Sequence, residues 1–350
     1  MRGTTARKIA IAGGAAAGAA AAGAAALNRA VSQPAGSLPN LVGGEEGWYE
    51  WDAGDLGTHR VAYTRRGSGP ALLLVHSIHA AAWSYEWRHN VDALAAEYTV
   101  YTVDLLGFGR SDRPPLHYSA RVYVSLLLDF VRDVIGGPCA LVGSSLGAAF
   151  VVAVAARDPG RFPAVVLVGP VGVTRLSTPP GPANDATEAA LRALFVGEAL
   201  FNALVTKPSM TFFLERTYED DRKLTPEVLD AYWQSAHQPG ARYAAAAFVG
   251  MQLNLNVRDA ARRLEQPVLI AWGEQAKEVP KTELEAYGEL VPHAEVAVFD
   301  PCGSLPHDER APAWNARVLD FLARALGREQ PAGARSPADV ATAEVAETNA

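Results

Sequence analysis

The residues best suited to chemistry in this chain form the run Gly143-Ser144-Ser145-Leu146-Gly147. A short apolar segment starting at Cys139 precedes this run, and a segment of helical length rich in Ala and Val follows it. A G-x-S-x-G pentapeptide between a strand and a helix is the pattern of a nucleophile elbow, which exposes its serine on a strained turn. The N-terminus of the following helix favours negative charge beside that serine. The pattern predicts that Ser145 is a nucleophile.

The elements around this run follow a strand–helix alternation. Two alternating segments, 48–52 and 59–64, predict an antiparallel hairpin. Short apolar runs then predict buried parallel strands at 71–76, 98–105, 139–143, 164–169, 267–273 and 294–300. Helical periodicity occurs at 83–96, 120–134, 146–157, 282–290 and 312–326. The fold class is therefore α/β, with a mostly parallel central sheet and helices on both faces.

Composition divides the chain further. Residues 171–264 are too long for a simple crossover, so we expect a helical cap over the C-terminal edge of the sheet. The remaining predicted divisions are an Ala/Gly-rich segment (1–31), a linker (32–47), the α/β core (48–170 and 265–327) and a disordered tail (328–350).

The N-terminal segment has the composition of a signal peptide or a signal anchor. Arg2, Arg7 and Lys8 precede an uncharged run, 9–27, that is close to the length needed to cross a bilayer. This pattern predicts an exported or membrane-anchored protein of bacterial type. The alternative is a disordered leader on a cytoplasmic protein, because Ala and Gly are barely apolar.

Charge and motif content restrict the partners. The formal net charge is -7 and no basic run occurs, which argues against nucleic-acid binding. No metal-ligand cluster, phosphate-binding loop or dinucleotide motif is present in the sequence. We therefore expect no cofactor and no metal, and a hydrophobic small molecule as ligand or substrate. The sequence leaves the oligomeric state open.

Several motifs in order resemble the α/β-hydrolase superfamily, in its cap-bearing branch of esterases, epoxide hydrolases and dehalogenases. The resemblance covers about 48–326. It rests on these pieces: His76-Ser77-Ile78 with Trp83 and Trp87, the block from Asp104 to Asp112, the elbow, Trp272-Gly273-Glu274, and the run from Pro301 to His307.

This resemblance implies roles for particular residues. Backbone N–H groups of Ile78 and Leu146 would form the oxyanion hole. Ser77 stands where the family has Gly, which would be uncomfortable if the position needs positive φ. Ala276 stands where the family has its acid, and Ser304 where it has its general base. Efficient hydrolysis through the usual triad is therefore not expected.

Two histidines are candidates for a replacement base. His307 lies three positions beyond the lost histidine, about one helical turn away. His79 lies in the oxyanion loop. Glu274, Glu278 and Asp300 are candidate carboxylates, although solvated or capping roles are the simpler interpretation of each.

Three functional hypotheses follow. The first in order of expectation is a repurposed enzyme of cyclase or lyase type, which binds a hydrophobic molecule under the cap. Its pocket hydroxyls would be those of Ser77, Ser144, Ser145 and Ser304. The second is a serine hydrolase of an ester or lactone with a rewired base such as His307. The third is a non-catalytic binding protein. Enzymatic activity is favoured but left open.

Overall fold

The computed structural model describes residues 36–193 and 196–328, together with residues 22 and 23. One eight-stranded sheet organises this part of the chain, in the order β1-β2-β4-β3-β5-β6-β7-β8. The strands are β1 (Glu45–Asp52), β2 (Thr58–Arg66), β3 (Ala71–Val75), β4 (Thr99–Val103), β5 (Cys139–Ser144), β6 (Val165–Val168), β7 (Val268–Gly273) and β8 (Glu295–Phe299). The predicted hairpin is confirmed, since β1 pairs antiparallel with β2, and from β4 to β8 neighbouring strands are parallel.

The sheet has a core on each face, because successive side chains of a strand point to opposite faces. Strand β6 shows this alternation. Val165 and Leu167 belong to one buried cluster, whereas Val166 and Val168 belong to the other. Helices cover both faces, which explains why the central strands are continuously apolar rather than alternating. The predicted fold class is confirmed.

The helices closely match the predicted ones, with one exception. They are α1 (Val91–Ala95), α2 (Ala120–Phe130), α3 (Leu146–Ala155), α4 (Pro182–Arg192), α5 (Val196–Leu204), α6 (Lys207–Glu215), α7 (Pro226–Ala236), α8 (Ala241–Val249), α9 (Arg258–Ala261), α10 (Lys281–Leu290), α11 (Pro306–Glu309) and α12 (Ala311–Ala325). The single helix predicted over 83–96 is wrong. A 3-10 turn, Ser84–Trp87, is followed by the short α1, and Asn90 between them donates to the His307 carbonyl (2.7 Å).

A helical insertion, α4 to α8, lies between β6 and β7. Leu214 and Tyr218 of the insertion share a buried cluster with Trp83 and Leu305 from outside it. The insertion therefore packs onto the loops that follow β3 and β8. The domain boundaries given above stay predictions.

The predicted tether, 9–27, lies outside the described residues apart from residues 22 and 23. Within the described residues, no helix combines the length and apolar character required to cross a bilayer.

Candidate active site

Ser145 occupies a sharp turn between β5 and α3. Its backbone has φ 51° and ψ -120°, a region that side-chain-bearing residues rarely adopt. Such a conformation costs on the order of 1–3 kcal/mol and persists only where the surroundings impose it. Here the Ser145 N–H donates to the Val168 carbonyl (2.9 Å), which fixes the turn to β6. The side chain is half-buried.

Two glycines permit this turn because strand and helix pass very close to each other. A Cβ added at Gly147 would lie 2.3 Å from the His76 carbonyl oxygen. One added at Gly143 would lie 2.7 Å from Ala148 Cα. Both contacts are with backbone atoms, which cannot swing aside. The glycines therefore bring the end of β3 against the first turn of α3.

The backbone N–H groups of Ile78 and Leu146 are the predicted oxyanion donors. Within the part of the chain that the structure describes, neither N–H donates a hydrogen bond. Both residues are buried, at 4% and 0% exposure. Buried N–H groups are almost always paired, and these two N–H groups remain available to donate to a ligand oxygen.

Ser77 does not occupy a strained position. The expectation of strain from the loss of glycine is wrong, since Ser77 is not among the residues with positive φ. Instead, its N–H and its hydroxyl both donate to Glu86 Oε2, at 2.8 and 2.6 Å. The serine thus adds a contact that glycine could not make.

Glu86 is a site residue that the sequence analysis missed. Its carboxylate is 1% exposed. Burial by itself would raise the pKa of Glu86, but contacts with His307, Ser144 and Ser77 outweigh it and lower the pKa to about 2. A charged residue among the aromatic side chains of Trp83, Tyr85 and Trp87 was the only sequence signal.

The structure does not bring His307 into hydrogen-bond contact with Ser145. His307 is fully buried, and its Nε2 lies 2.9 Å from Glu86 Oε1 without the alignment of a hydrogen bond. Its ring packs against Trp87 and Trp314, with centroids 4.5 and 6.0 Å away. Its imidazole therefore faces Glu86, and its role as a rewired base stays a prediction without this geometric support.

His79 is half-buried in the oxyanion loop, edge-on to Tyr232. Burial lowers the pKa of His79 to about 4, which keeps the ring neutral at pH 7. Its Nδ1 accepts the Ala81 N–H at 3.3 Å, so the proton resides on Nε2. In this tautomer His79 presents a donor to the site rather than a base.

His76 has a structural role. Its Nε2 accepts the Leu105 N–H (3.1 Å), and its Nδ1 donates to the Ser77 carbonyl (2.6 Å). Both ring nitrogens are occupied, so His76 holds the end of β3 against the loop after β4.

Ser304 lies beside the elbow. Its N–H donates to the Thr217 carbonyl of the insertion (2.7 Å). Its carbonyl oxygen lies 3.4 Å from the position of a Cβ on Gly169, which directly follows Val168, the residue bonded to Ser145. The Ser304 hydroxyl is buried without a hydrogen-bond partner. A hydrogen bond to the insertion thus holds the Ser304 backbone, while its hydroxyl forms no hydrogen bond.

The candidate carboxylates are engaged elsewhere. Glu274 pairs with Lys281 (2.8 Å) and Glu278 with Arg216 (3.2 Å), both at the surface. Asp300 accepts from the Gln275 side chain (2.7 Å). Ala276 is partly buried and packs against the main core. Consequently no described side chain forms a hydrogen bond with Ser145 Oγ.

No group of three or more His, Cys, Asp or Glu residues within the described ranges is arranged to hold a metal ion. Among the described residues, the polar groups at this site include the Ser145 hydroxyl, the Ile78 and Leu146 N–H groups and the His79 Nε2–H.

Comparison with known proteins assigns the class. The sequence profile of the family described as "alpha/beta hydrolase fold" matches residues 70–311, so the chain belongs to that family. A 2-hydroxy-6-oxo-6-phenylhexa-2,4-dienoate hydrolase of Burkholderia cepacia is 26% identical over 274 residues, covering 77% of this chain and 93% of the relative. A 2-hydroxymuconate semialdehyde hydrolase of a Pseudomonas species is 26% identical over 268 residues, covering 74% and 89%.

A solved structure agrees on the fold. The meta-cleavage product hydrolase of Pseudomonas fluorescens superposes with a TM-score of 0.66 at 21% identity, covering 82% of this chain and all of that one. The named relatives are hydrolases of small organic molecules. Among the functional hypotheses, these relatives favour the serine hydrolase over the cyclase or lyase.

Proposed function

We propose that this protein is a serine hydrolase that cleaves a bond next to a carbonyl group in a small, largely apolar molecule. The observation that carries the proposal is the strained Ser145 turn together with two buried, unpaired N–H groups, those of Ile78 and Leu146. The substrates named for the relatives, which carry oxo groups, are consistent with this class. No cofactor is required for such a reaction.

In the proposed reaction, the substrate carbonyl oxygen lies between the Ile78 and Leu146 N–H groups. Ser145 Oγ attacks the carbonyl carbon, and the two N–H groups stabilise the negative oxygen that develops. The bond from that carbon to the leaving group then breaks, and water releases the acyl group from Ser145. The N-terminus of α3 stabilises the same oxygen through its dipole.

Removal of the proton from Ser145 Oγ is the most difficult step of this reaction. No described side chain accepts it, so water or a basic group of the substrate must do so. A serine protease that lacks a triad member keeps roughly 10³–10⁴-fold acceleration over water, from its oxyanion hole and binding. We expect slow turnover of this order on simple esters, and faster turnover on a substrate that supplies its own base.

A second candidate function follows because no described side chain accepts the Ser145 proton. A reaction that needs only a polarised carbonyl, such as a lyase or cyclisation step, would use the N–H groups and Ser145 Oγ as donors without an acyl-enzyme. A non-catalytic binding role would use the same groups without any turnover.

Covalent labelling separates these functions. The full chain is treated with a fluorophosphonate, and the adduct is located by peptide mass spectrometry, with Ser145→Ala as the control. The proposal expects slow, stoichiometric modification of Ser145 and slow hydrolysis of p-nitrophenyl acetate, both lost in the control. A folded protein that stays unmodified after prolonged treatment would refute the hydrolase and leave the second candidate.

A further inference from the structure

The oxyanion loop has a buried anchor, Glu86, which also lies near the elbow. This residue lies in the 3-10 turn Ser84–Trp87, and its Oε2 accepts both the N–H and the hydroxyl of Ser77. The Ser144 hydroxyl lies close enough to this carboxylate to lower its pKa. Ser77 immediately precedes Ile78, and Ser144 precedes Ser145 and Leu146. One side chain therefore holds the segment that supplies the Ile78 donor and lies near the segment that supplies the Leu146 donor.

The chemistry of this contact suits positioning rather than proton transfer. Glu86 is ionised at neutral pH, because the hydrogen bonds outweigh burial and hold its pKa far below 7. Hydrogen bonds to a charged acceptor are about twice as strong as those between neutral groups. The His307 imidazole faces this carboxylate on its other side, with Nε2 2.9 Å from Glu86 Oε1.

We propose that Glu86 is the positioning residue of the oxyanion hole, which fixes the Ile78 N–H group through Ser77. The proposal rests on the proposed hydrolase function for its catalytic consequence, but its geometric content is independent of that function. Two hydrogen bonds to Ser77 leave its backbone little freedom, and the Ile78 N–H belongs to the next peptide unit. Loss of the carboxylate would release that peptide and misplace the donor.

The decisive variant is Glu86→Leu, which leaves the Ser77 N–H and hydroxyl without an acceptor. Glu86→Gln is the conservative rescue, since its amide oxygen still accepts from Ser77. Ser77→Ala removes one of the two hydrogen bonds and keeps the carboxylate. The matched control is Glu283→Leu, because Glu283 is equally buried and accepts backbone N–H groups at 2.7–2.8 Å from a loop that lacks the oxyanion donors.

The geometric readout is the amide signal of Ile78 in protein labelled with ¹⁵N-isoleucine. The chain has five isoleucines, Ile9, Ile11, Ile78, Ile135 and Ile270. We expect the Ile78 signal to shift or broaden strongly in Glu86→Leu, less in Glu86→Gln and Ser77→Ala, and not in Glu283→Leu. An unmoved Ile78 signal in every folded Glu86 and Ser77 variant would overturn the proposal, whether or not the protein is a hydrolase.

The functional readout is Ser145-dependent ester cleavage per folded molecule. Removal of one oxyanion donor costs about 10²–10³-fold in kcat. A misplaced donor in Glu86→Leu should therefore cost ten- to hundredfold, with KM within a few-fold of the original and partial recovery in Glu86→Gln. A loss in Glu283→Leu as large as that in Glu86→Leu would overturn the proposal. If the fluorophosphonate does not modify Ser145 of the wild-type protein, only the hydrolase function is refuted. The Ile78 amide signal still tests whether Glu86 positions the N–H donor.

Discussion

Restoring a base at position 304 should convert this site into a faster esterase. In Ser304→His, the imidazole replaces a hydroxyl that is buried beside the elbow and makes no hydrogen bond. The backbone there is fixed by the Ser304 N–H bond to the Thr217 carbonyl (2.7 Å). The substitution therefore breaks no side-chain hydrogen bond, and the new ring extends from a backbone that is hydrogen-bonded close to the strand end that binds the Ser145 N–H.

The size of the gain can be worked from this geometry. A positioned general base contributes roughly 10²–10⁴-fold. We expect no carboxylate to orient the new imidazole, since Ala276 stands where the family resemblance implies an acid and Asp300 accepts a hydrogen bond from the Gln275 side chain. We expect the lower end, about 100-fold in kcat/KM, which is about 2.7 kcal/mol of barrier. Adding Ala276→Asp should increase the gain further in the fraction that folds, since it supplies the orienting group.

The assay is hydrolysis of p-nitrophenyl acetate across pH, with Ser304→Ala and Ser304→His/Ser145→Ala as controls. Only Ser304→His should show a rate that rises with an apparent pKa near that of free histidine, about 6.5. The Ala control should match wild type, and loss of Ser145 should abolish the gain. A folded Ser304→His protein with no gain and no pH dependence would refute the placement of Ser304 beside the nucleophile.

Three further outcomes are expected. Gly147→Ala should lower the free energy of unfolding by about 1–3 kcal/mol, because the new Cβ would lie 2.3 Å from the His76 carbonyl oxygen. Gly288→Ala is the control and should not lower it, since the space around Gly288 is open. Denaturant unfolding curves of both variants test this. Because burial lowers the pKa of His79 to about 4, the unfolded state binds its proton first as pH falls below about 6.5. The free energy of unfolding should thus fall towards pH 4, by up to about 1.4 kcal/mol per pH unit. In His79→Gln, the free energy of unfolding measured in urea should depend less on pH. Deletion of residues 1–35 should move the protein from membrane to soluble fractions; equal distribution of both forms would refute the tether.

The local patterns in the sequence determined much of this protein. Period-two and continuous apolar runs determine the strands, because burial on one face or both dictates which residues each position accepts. The elbow was readable because the close approach at Gly143 and Gly147 excludes any side chain. The motifs next to Ser304 and Ala276 likewise predicted that these residues lie in the loops after β8 and β7.

Only the tertiary structure decided what the other polar groups contact. Glu86 and His307 are 221 positions apart in the chain, yet they meet at 2.9 Å, and no local pattern encodes such a pairing. The helix predicted over 83–96 failed for a related reason. Its periodicity was helical, but Asn90 donates to the distant His307 carbonyl and Glu86 accepts from Ser77, and these hydrogen bonds outweigh local propensity. Sequence spacing fixes which groups a segment carries, whereas the burial of charges and the pairing of distant loops depend on the packed fold.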